Sequence, residues 1–327
     1  MNLLAIETSC DESSVAILQD GKKVLSVKTF SQIFDHARFG GVVPEVASRA
    51  HEQWLTPLIQ ACLKESQLSL NHLDAIAVTH GPGLLGSLMI GQMAAKSLSF
   101  ALNIPLLAVN HLEGHIAANF MAVEPITPAM ILIVSGGHTH LYLMNVKLQY
   151  QLIGKTLDDA AGEAFDKTAR LLNLPMPGGP AIQNLAKQGN PKNIQLPATH
   201  MNDFNFSYSG LKTAVAVALK KNPAINTADL AAAFQKRAIK PLVEKTMAAA
   251  LQYQARAIYV AGGVSANQML REQLIQAGNQ NNIPVHFPPL EFCTDNAVMI
   301  ARAGFRLWQQ KQFSDLSLKA NPALKLG

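Results

Sequence analysis

Two histidines separated by four positions, His111 and His115, are the side chains of this sequence best placed to do chemistry. Residues four apart lie on one face of a helix, so both imidazoles could bind a single metal ion. The apolar residues 104–109 precede the pair and predict a buried strand that delivers both histidines at its carboxyl end. The spacing taken alone is equally compatible with two structural histidines.

A metal centre of this kind needs a third protein ligand, since catalytic zinc sites commonly use three ligands and keep one position open. Asp295 is the best candidate, because it follows an apolar segment and begins a predicted helix. The same placement would also suit a residue that caps that helix. Both interpretations of Asp295 therefore stay open at this point.

The acidic residue inside the histidine segment argues against a metallopeptidase. Glu113 follows His111 by two positions, which turns it roughly 200° around the helix and away from the metal face. In the H-E-x-x-H motif of zinc peptidases, the glutamate follows the first histidine directly and acts as the general base. The pair His51-Glu52 does not complete that motif, because position 55 is leucine.

Two glycine-rich turns are suited to binding phosphate. Residues 135–139 and 262–267 each follow an apolar run, and their small residues let backbone N–H groups approach phosphate oxygens. The sequence contains no P-loop, and no Rossmann glycine motif follows the first strand. Glu163 and Asp166 share a helix face and could hold ribose hydroxyls, although an ordinary solvent-exposed face is the simpler explanation of their spacing alone.

The elements that must position these residues repeat in the two halves of the chain. Each half begins with a strand, a small polar turn and two further strands, at residues 3–30 and again at 130–153, and then changes to helices. Prolines at 125 and 128 punctuate the chain between the halves. We therefore expect a duplicated α/β architecture with lobes at residues 1–125 and 126–327, in which the last helix can pack back on the first lobe. Predicted helices cover about residues 44–63, 160–173, 180–188, 209–221, 227–253 and 295–311.

Composition and charge narrow the class of protein. The 327 residues are 49% hydrophobic and 15% charged, which indicates well-buried cores. No apolar stretch approaches the length of a membrane span, the N-terminus lacks the basic segment of a signal peptide, and the three scattered cysteines suit a reducing compartment. We therefore expect a cytoplasmic protein. The net charge of +5 gives a mild bias toward polyanions such as RNA, which a solvated basic helix face would explain equally well.

Over essentially its whole length, the sequence resembles the bacterial branch of the TsaD (Gcp) family of tRNA N6-adenosine threonylcarbamoyltransferases. The resemblance rests on blocks that occur in the family's order, at residues 7–12, 41–49, 81–84, 110–115, 135–139, 158–167, 206–213, 261–267 and 293–297. The chain departs from the family pattern at Ser13, where threonine is usual, and at Met176, where tyrosine usually precedes the Pro-Gly-Gly-Pro turn. Neither departure touches a candidate ligand.

The resemblance implies an α/β fold of the duplicated actin, Hsp70 and sugar-kinase (ASKHA) type, with two lobes around a nucleotide cleft. It also implies metal-dependent transfer of the threonylcarbamoyl group from threonylcarbamoyl-AMP to N6 of adenosine 37 in tRNAs that read ANN codons. In such a protein, His111, His115 and Asp295 would correspond to the ligands of one divalent ion, iron or zinc. The substrate-binding positions would correspond to Val134, Ser135, Gly136, Gly137, His138, Asp166, Gly179 and Asn267.

The implied partners are tRNA, a paralogous TsaB-type subunit and a TsaE-type ATPase. For the transfer, we expect the metal to polarise carbamoyl or phosphate oxygens while adenine N6 attacks the carbamoyl carbon and AMP leaves. Asp11 or Glu12 could assist removal of the N6 proton. Three alternatives compete with this reading: a metallopeptidase that uses the histidine pair, a nucleotide-binding scaffold without catalysis, and a sugar kinase. The complete set of candidate ligands argues against the scaffold, and nothing in the sequence marks a sugar site.

Overall fold

Two sheets with the same strand order form the framework of the protein. The computed structural model describes residues 1–37, 39, 41–121, 123–197, 201 and 203–327. The first sheet consists of β1 (Asn2–Glu7), β2 (Glu12–Gln19), β3 (Lys23–Ser31), β4 (Ala75–Gly81) and β5 (Leu106–Asn110). Its order is β3-β2-β1-β4-β5, in which β1, β4 and β5 are parallel and β2 is antiparallel to both of its neighbours.

The second sheet repeats this arrangement later in the chain. It consists of β6 (Ala129–Val134), β7 (Thr139–Met144), β8 (Tyr150–Lys155), β9 (Ala257–Ala261) and β10 (Val285–His286). Read from β8, its order is β8-β7-β6-β9-β10, with the same parallel and antiparallel pairings as in the first sheet. The predicted duplicated α/β architecture is therefore confirmed, and β1 and β6 occupy equivalent positions.

Helices connect and cover the strands. In chain order they are α1 (Ile33–Ala37), α2 (Pro44–Ser66), α3 (Leu85–Leu102), α4 (His111–Ala117), α5 (Ala161–Leu171), α6 (Gly178–Ala186), α7 (Ser209–Lys221), α8 (Thr227–Gln252), α9 (Gln268–Gln280) and α10 (Ala297–Gln309). The predicted helices coincide with members of this set to within a few residues. In the part of the chain that the structure describes, no helix is long and apolar enough to cross a membrane.

The chain divides into two compact units. The first unit comprises Met1–Glu124 and Thr294–Leu326, and it contains the first sheet with α1 to α4 and α10. The second unit comprises Pro125–Cys293 and Gly327, and it contains the second sheet with α5 to α9. The first unit is thus built from two separate segments of the chain, because α10 returns to it from a distant part of the sequence.

The central strands of the first unit are buried on both faces, which explains why their sequences are continuous apolar runs. On one face, Leu4 and Ile6 of β1 pack in a core with apolar residues of α2 and α3. Leu3, whose side chain points to the other face, lies beside Gly304 of α10. This packing of α10 on β1 fixes where the segment before α10 can lie.

Candidate metal centre

The histidine pair lies on a short helix that begins where β5 ends. The side-chain oxygen of Asn110 accepts hydrogen bonds from the backbone N–H groups of Leu112 and Glu113, at 2.9 and 3.4 Å. This N-cap satisfies donors that the first helical turn leaves unpaired, so α4 begins at His111. His115 follows one turn later, and the two imidazole rings lie 4.7 Å apart between centroids.

The start of α10 brings the third candidate ligand to the pair. The side chain of Asn296 caps α10 by accepting a hydrogen bond from the N–H of Met299 at 3.0 Å. The N–H of Ala297 donates to Oγ of Ser14 on β2 at 2.9 Å, which anchors this segment to the first sheet. The interpretation of Asp295 as the cap is therefore wrong, because the neighbouring asparagine takes that position.

Close packing between α4 and α10 fixes the histidines relative to Asp295. A Cβ atom at Gly114 would lie 2.7 Å from Cδ1 of Ile300, so a larger residue would require side chains of α10 to shift. Glu113 forms an ion pair with Arg306 of α10, and both side chains are largely buried. Glu113 is therefore engaged away from the histidines, as its predicted position on the helix requires.

The three candidate ligands meet in the first unit. Nε2 of His115 lies 3.1 Å from Oδ1 of Asp295, and Nε2 of His111 lies 3.5 Å from the same oxygen. One ligand atom from each residue lies within 4.8 Å of the others. Both histidines are buried, whereas the Asp295 side chain is 21% exposed, so solvent reaches the cluster from the carboxylate.

This donor set fits a divalent metal ion. Among the described residues, neither ring nitrogen of His115 has a partner in hydrogen-bond geometry, although the residue is only 1% exposed and Nε2 lies close to the Asp295 carboxylate. A buried polar atom without a partner is costly, and a cation bound to Nε2 would remove that cost. Two imidazoles and one carboxylate form a ligand set that suits catalytic zinc or non-haem iron.

Sequence reasoning missed Glu7, the residue that orients His111. This carboxylate ends β1 in a fully buried position, and its Oε2 lies 3.1 Å from Nδ1 of His111. Oε2 also accepts a hydrogen bond from Oγ1 of Thr79 at 2.6 Å, and Oε1 accepts one from the N–H of Ser9 at 2.5 Å. A carboxylate on one ring nitrogen fixes the tautomer and directs the other nitrogen toward a metal. The signal in the sequence was an acid that directly follows an apolar strand.

Electrostatics within the cluster favour the charged forms of Glu7 and His111. Burial alone would lower the pKa of His111, but the carboxylates of Asp295 and Glu7 outweigh it and raise the pKa to about 9. Burial alone would raise the pKa of Glu7, but the His111 imidazolium holds it below its ordinary value. The two carboxylates outnumber this single imidazolium, and a divalent cation bound here would take the place of the His111 proton.

The turn between β1 and β2 adds two acids to the first unit. Burial, together with the neighbouring carboxylates of Asp11 and Asp295, raises the pKa of Glu12 well above its ordinary value. Burial and the same two acids also raise the pKa of Cys10. The first unit thus carries a carboxyl group with a raised pKa in addition to the candidate metal ligands.

The predicted phosphate-binding turns lie together at one edge of the second sheet. β6 ends at Val134 and β9 ends at Ala261, and because these parallel strands are neighbours, the turns that follow them meet. The N–H of Ser135 donates to the carbonyl of His138 at 2.8 Å, which closes the first turn. In the second turn, Gly262 has a φ of 88°, and a Cβ atom there would lie 2.5 Å from the carbonyl oxygen of Val134.

Three glycines leave the backbone of this edge accessible. A Cβ atom at Gly136, Gly137 or Gly179 would meet no atom within 4 Å, so a ligand can approach the main chain at all three. The N–H of Gly162 in α5 donates to the carbonyl of Ser135 at 3.2 Å, which ties the first turn to the start of that helix. The arrangement suits recognition of phosphate by backbone N–H groups.

Two further predicted substrate positions have structural partners in the second unit. Oδ1 of Asp166 accepts a hydrogen bond from the N–H of Gly178 at 2.8 Å and so links α5 to the start of α6. Asn267 caps α9 by accepting from the N–H of Leu270 at 3.1 Å, and its amide donates to Gln235 at 3.0 Å. These contacts fix the walls around the glycine turns, and substrate binding by the two side chains stays a prediction.

Comparison with known proteins places this geometry in context. The model of one family, described as TsaD: tRNA N6-adenosine threonylcarbamoyltransferase, matches residues 23–302. A tRNA N6-adenosine threonylcarbamoyltransferase from Carboxydothermus hydrogenoformans is 48% identical over 328 residues, which cover 99% of this chain and 98% of that protein. A protein of the same name from Moorella thermoacetica is also 48% identical, over 332 residues that cover 99% of this chain and 97% of that protein.

Solved structures with low sequence identity share the fold. HypF in its phosphate- and nucleotide-bound form is 12% identical with a TM-score of 0.64, over 95% of this chain and 46% of that chain. Component A of the (R)-2-hydroxyglutaryl-CoA dehydratase of Acidaminococcus fermentans is 14% identical with a TM-score of 0.56, over 95% of this chain and 99% of that chain. These likenesses confirm the predicted α/β fold of the actin-like type.

Proposed function

The chain belongs to the tRNA N6-adenosine threonylcarbamoyltransferase family, and on that premise we propose that it forms N6-threonylcarbamoyladenosine at position 37 of tRNAs that read ANN codons. The match to named transferases at 48% identity over 99% of the chain carries this proposal. In the reaction, the bond between the carbamoyl carbon of threonylcarbamoyl-AMP and its phosphate oxygen breaks. A bond from that carbon to adenine N6 forms, and AMP leaves.

His111, His115 and Asp295 are the residues that would hold one divalent ion, iron or zinc. When bound, such an ion supplies Lewis acidity to oxygens of the threonylcarbamoyl donor. Glu7 keeps the Nδ1 side of His111 occupied, so that Nε2 faces the other two ligands. The partial exposure of Asp295 leaves a side from which a substrate oxygen can approach.

The glycine turns of the second unit are the proposed site for the adenylate part of the donor. Backbone N–H groups of these turns, those of Gly136 and Gly137 first, would donate to phosphate oxygens and stabilise the charge that develops on AMP as it leaves. Val134 and Asn267 border these turns in the chain, and we assign Asp166 and Gly179 to the same site, since Asp166 accepts a hydrogen bond from the residue before Gly179. The open approach to Gly136 and its neighbour supports this assignment.

The adenine amino group loses a proton when it attacks the carbamoyl carbon. We assign that proton to the carboxylate of Asp11 or Glu12, in the turn that follows β1. A general base must lie within hydrogen-bond reach of the proton it removes. The comparison of Asp11→Asn with Glu12→Gln under single-turnover conditions would show which carboxylate controls the transfer rate.

The proposed function is tested with purified protein, synthetic threonylcarbamoyl-AMP, an unmodified tRNA transcript and the partner proteins. Mass spectrometry of the tRNA nucleosides measures the product, and elemental analysis measures bound metal. His111→Ala should lose both, whereas His72→Ala, at an exposed histidine, should lose neither. Full transfer activity and metal content in His111→Ala would refute the metal assignment. Absence of product with the wild-type chain, together with unchanged tRNA nucleosides in depleted cells, would refute the transferase.

A stripe on α3 supports the proposal of a paralogous TsaB-type partner. Leu85, Met89, Met93 and Phe100 lie on one face of this helix, and Phe100 is 75% exposed. Large apolar side chains that share an exposed face are typical of a protein interface.

A TsaE-type ATPase is proposed as a second partner from the family resemblance alone. The lobe limits at residues 1–125 and 126–327 also stay a prediction.

Nothing among the described residues favours the metallopeptidase alternative. A zinc peptidase needs a carboxylate beside the metal to activate water. Glu113, the acid closest in sequence to the histidine pair, is engaged with Arg306.

A further inference from the structure

A groove between α5 and α7 of the second unit carries three cationic side chains and is not part of the turns described above. The groove has a volume of about 400 Å³. Its lining consists of Lys167, Arg170, Leu171, Lys212, Thr213 and Ala216. Cationic groups therefore border an apolar floor, a combination that suits a ligand with both charged and uncharged faces.

One carboxylate holds two of the cations in place. Nζ of Lys167 lies 2.7 Å from Oδ1 of Asp159, and Nζ of Lys212 lies 3.5 Å from Oδ2 of the same residue. Lys167 also contacts Glu163 at 2.8 Å. These acids orient the ammonium groups at the start of the groove and partly neutralise them.

The far end of the groove keeps its positive charge. Within the described part of the chain, Arg170 is exposed and its guanidinium group takes part in no hydrogen bond or ion pair, and the same is true of the ammonium group of Lys220 in the last turn of α7. Lys220 follows Thr213 by seven residues and Ala216 by four, so it lies on the groove side of α7. Arg170 and Lys220 are thus free to bind an anion.

The two walls start from one anchoring segment, which keeps their spacing fixed. Oδ1 of Asp158 accepts from the N–H of Tyr208 at 2.7 Å, and Oδ2 accepts from Oγ of Ser209 at 2.8 Å, so this carboxylate holds the start of α7. The next residue, Asp159, contacts Lys167 of α5. A groove built in this way needs little rearrangement when a ligand binds.

We propose that this groove binds the phosphate backbone of the RNA substrate, away from the base that is modified. The inference rests on the proposed function, because a reaction at one base of a long polyanion needs backbone contacts that position the RNA. Phosphates would pair with Arg170 and Lys220, and ribose would lie over Leu171 and Ala216. Charge complementarity favours RNA, since cations that recur along a groove match a backbone with a charge at every nucleotide.

Direct binding of an unmodified tRNA transcript to the full chain tests this proposal without any need for turnover. Fluorescence anisotropy gives Kd between about 50 and 200 mM salt, and the slope of log Kd against log salt counts phosphate contacts. Arg170→Ala and Lys220→Ala should each raise Kd about five- to eightfold near 0.1 M salt and lower the slope by about 0.7–0.9. Arg170→Lys should keep most of the affinity, because it keeps the charge.

Lys23→Ala removes the same charge from an exposed position in the first unit and serves as the matched control. Groove variants with the Kd and slope of this control would overturn the proposal. Groove variants that lose transfer activity while they keep RNA affinity would also overturn it, since the groove would then serve an acidic protein. Wild-type chain that binds the transcript with the expected slope but never modifies it would refute the proposed function and leave the groove assignment standing.

Discussion

The two sheets share a strand order but end their first strands with opposite chemistry. Glu7 is the last residue of β1 and faces Ser14 on β2, whereas Val134 is the last residue of β6 and faces Thr139 on β7. The carboxylate of Glu7 contacts His111, while Val134 leads into a turn of serine and glycines. One topology, present twice, therefore offers an edge suited to a cation in the first unit and an edge suited to anions in the second.

The difference shows that topology determines where a ligand can bind on each sheet, whereas the side chains at that position determine which kind of ligand it is. Strand order brings the carboxyl ends of neighbouring parallel strands to one edge in each sheet, which is where ligands bind in open α/β sheets. The first unit fills that edge with acids and adds α4 after β5. The second unit keeps glycine backbone there. The following predictions test this division, from the largest expected effect to the smallest.

Removal of the carboxylate ligand should have the largest effect. Asp295→Ala should lose bound metal, and because Lewis-acid stabilisation is worth several kcal/mol, transfer should slow by about a thousandfold. Elemental analysis and a single-turnover rate check this result. Asp35→Ala, at an exposed acid of the same unit, should retain both properties. Metal retained at the wild-type level in Asp295→Ala would contradict the assignment of the first unit as the cation site.

Substitution of the last residue of β1 and of the last residue of β6 should have different effects on metal affinity. Glu7→Gln should weaken metal binding about 10- to 100-fold, because carboxylates behind a ligating histidine contribute about that much. Val134→Ala should destabilise the fold through a lost core contact and leave metal affinity unchanged. Competition with a metal indicator measures affinity, and urea unfolding measures stability. Equal metal affinity in the two variants would show that Glu7 does not position His111.

A larger side chain in the glycine turn should weaken binding of the threonylcarbamoyl donor and leave the metal content unchanged. Gly137→Val should raise the KM for threonylcarbamoyl-AMP about tenfold, as expected when one hydrogen bond to a charged group is lost. Steady-state kinetics and metal analysis on one preparation check both halves of this statement. Gly210→Val, at another glycine with open space around it, is the control. A changed metal content in Gly137→Val would mean that the two edges are not independent.

A histidine of the second sheet should give the smallest effect, visible only in acid. Burial and the nearby Lys155 cation lower the pKa of His140 to about 4, compared with its ordinary value of 6.5. Below pH 6.5 the His140 imidazole gains a proton in the unfolded chain but not in the folded chain. The free energy of unfolding therefore has its full value above pH 6.5, and the contribution of His140 is lost as the pH falls towards 4.

His140→Gln should therefore reduce the acid sensitivity of thermal unfolding by a few degrees, measured at about pH 7.5 and pH 5. The comparison variant is His51→Gln in the first unit, where burial also lowers the pKa of the imidazole. Both variants should flatten the pH profile. If neither does, burial of neutral histidine contributes nothing to the acid stability of either unit.

Periodicity in the sequence predicted most of the secondary structure, because both sheets bury their central strands completely. Continuous apolar runs such as residues 130–134 can only be satisfied between two layers, and the long helices carry clear helical spacing. The spacing of His111 and His115 likewise fixed their common face. Local patterns of this kind depend on neighbours within one element.

Contacts between distant segments could not be predicted in the same way. The capping role at the start of α10 belongs to Asn296 and not to Asp295, as the hydrogen bond from the N–H of Met299 to the Asn296 side chain shows. Glu7 contacts a residue 104 positions away, so spacing carries no information about the pair. Charge and burial at a strand end were visible in the sequence, but the partner was not.

Apart from Gly327, the second unit is one continuous segment, and it lies between the two segments of the first unit. During synthesis, residues 125–293 are therefore complete before Asp295 and α10 have emerged. A ribosome-bound chain that ends before this point already has the histidines and Glu7 but lacks the carboxylate ligand and the helix that packs on β1. Domains generally fold as they leave the ribosome. In this protein the three candidate metal ligands can come together only after the start of α10 has been made.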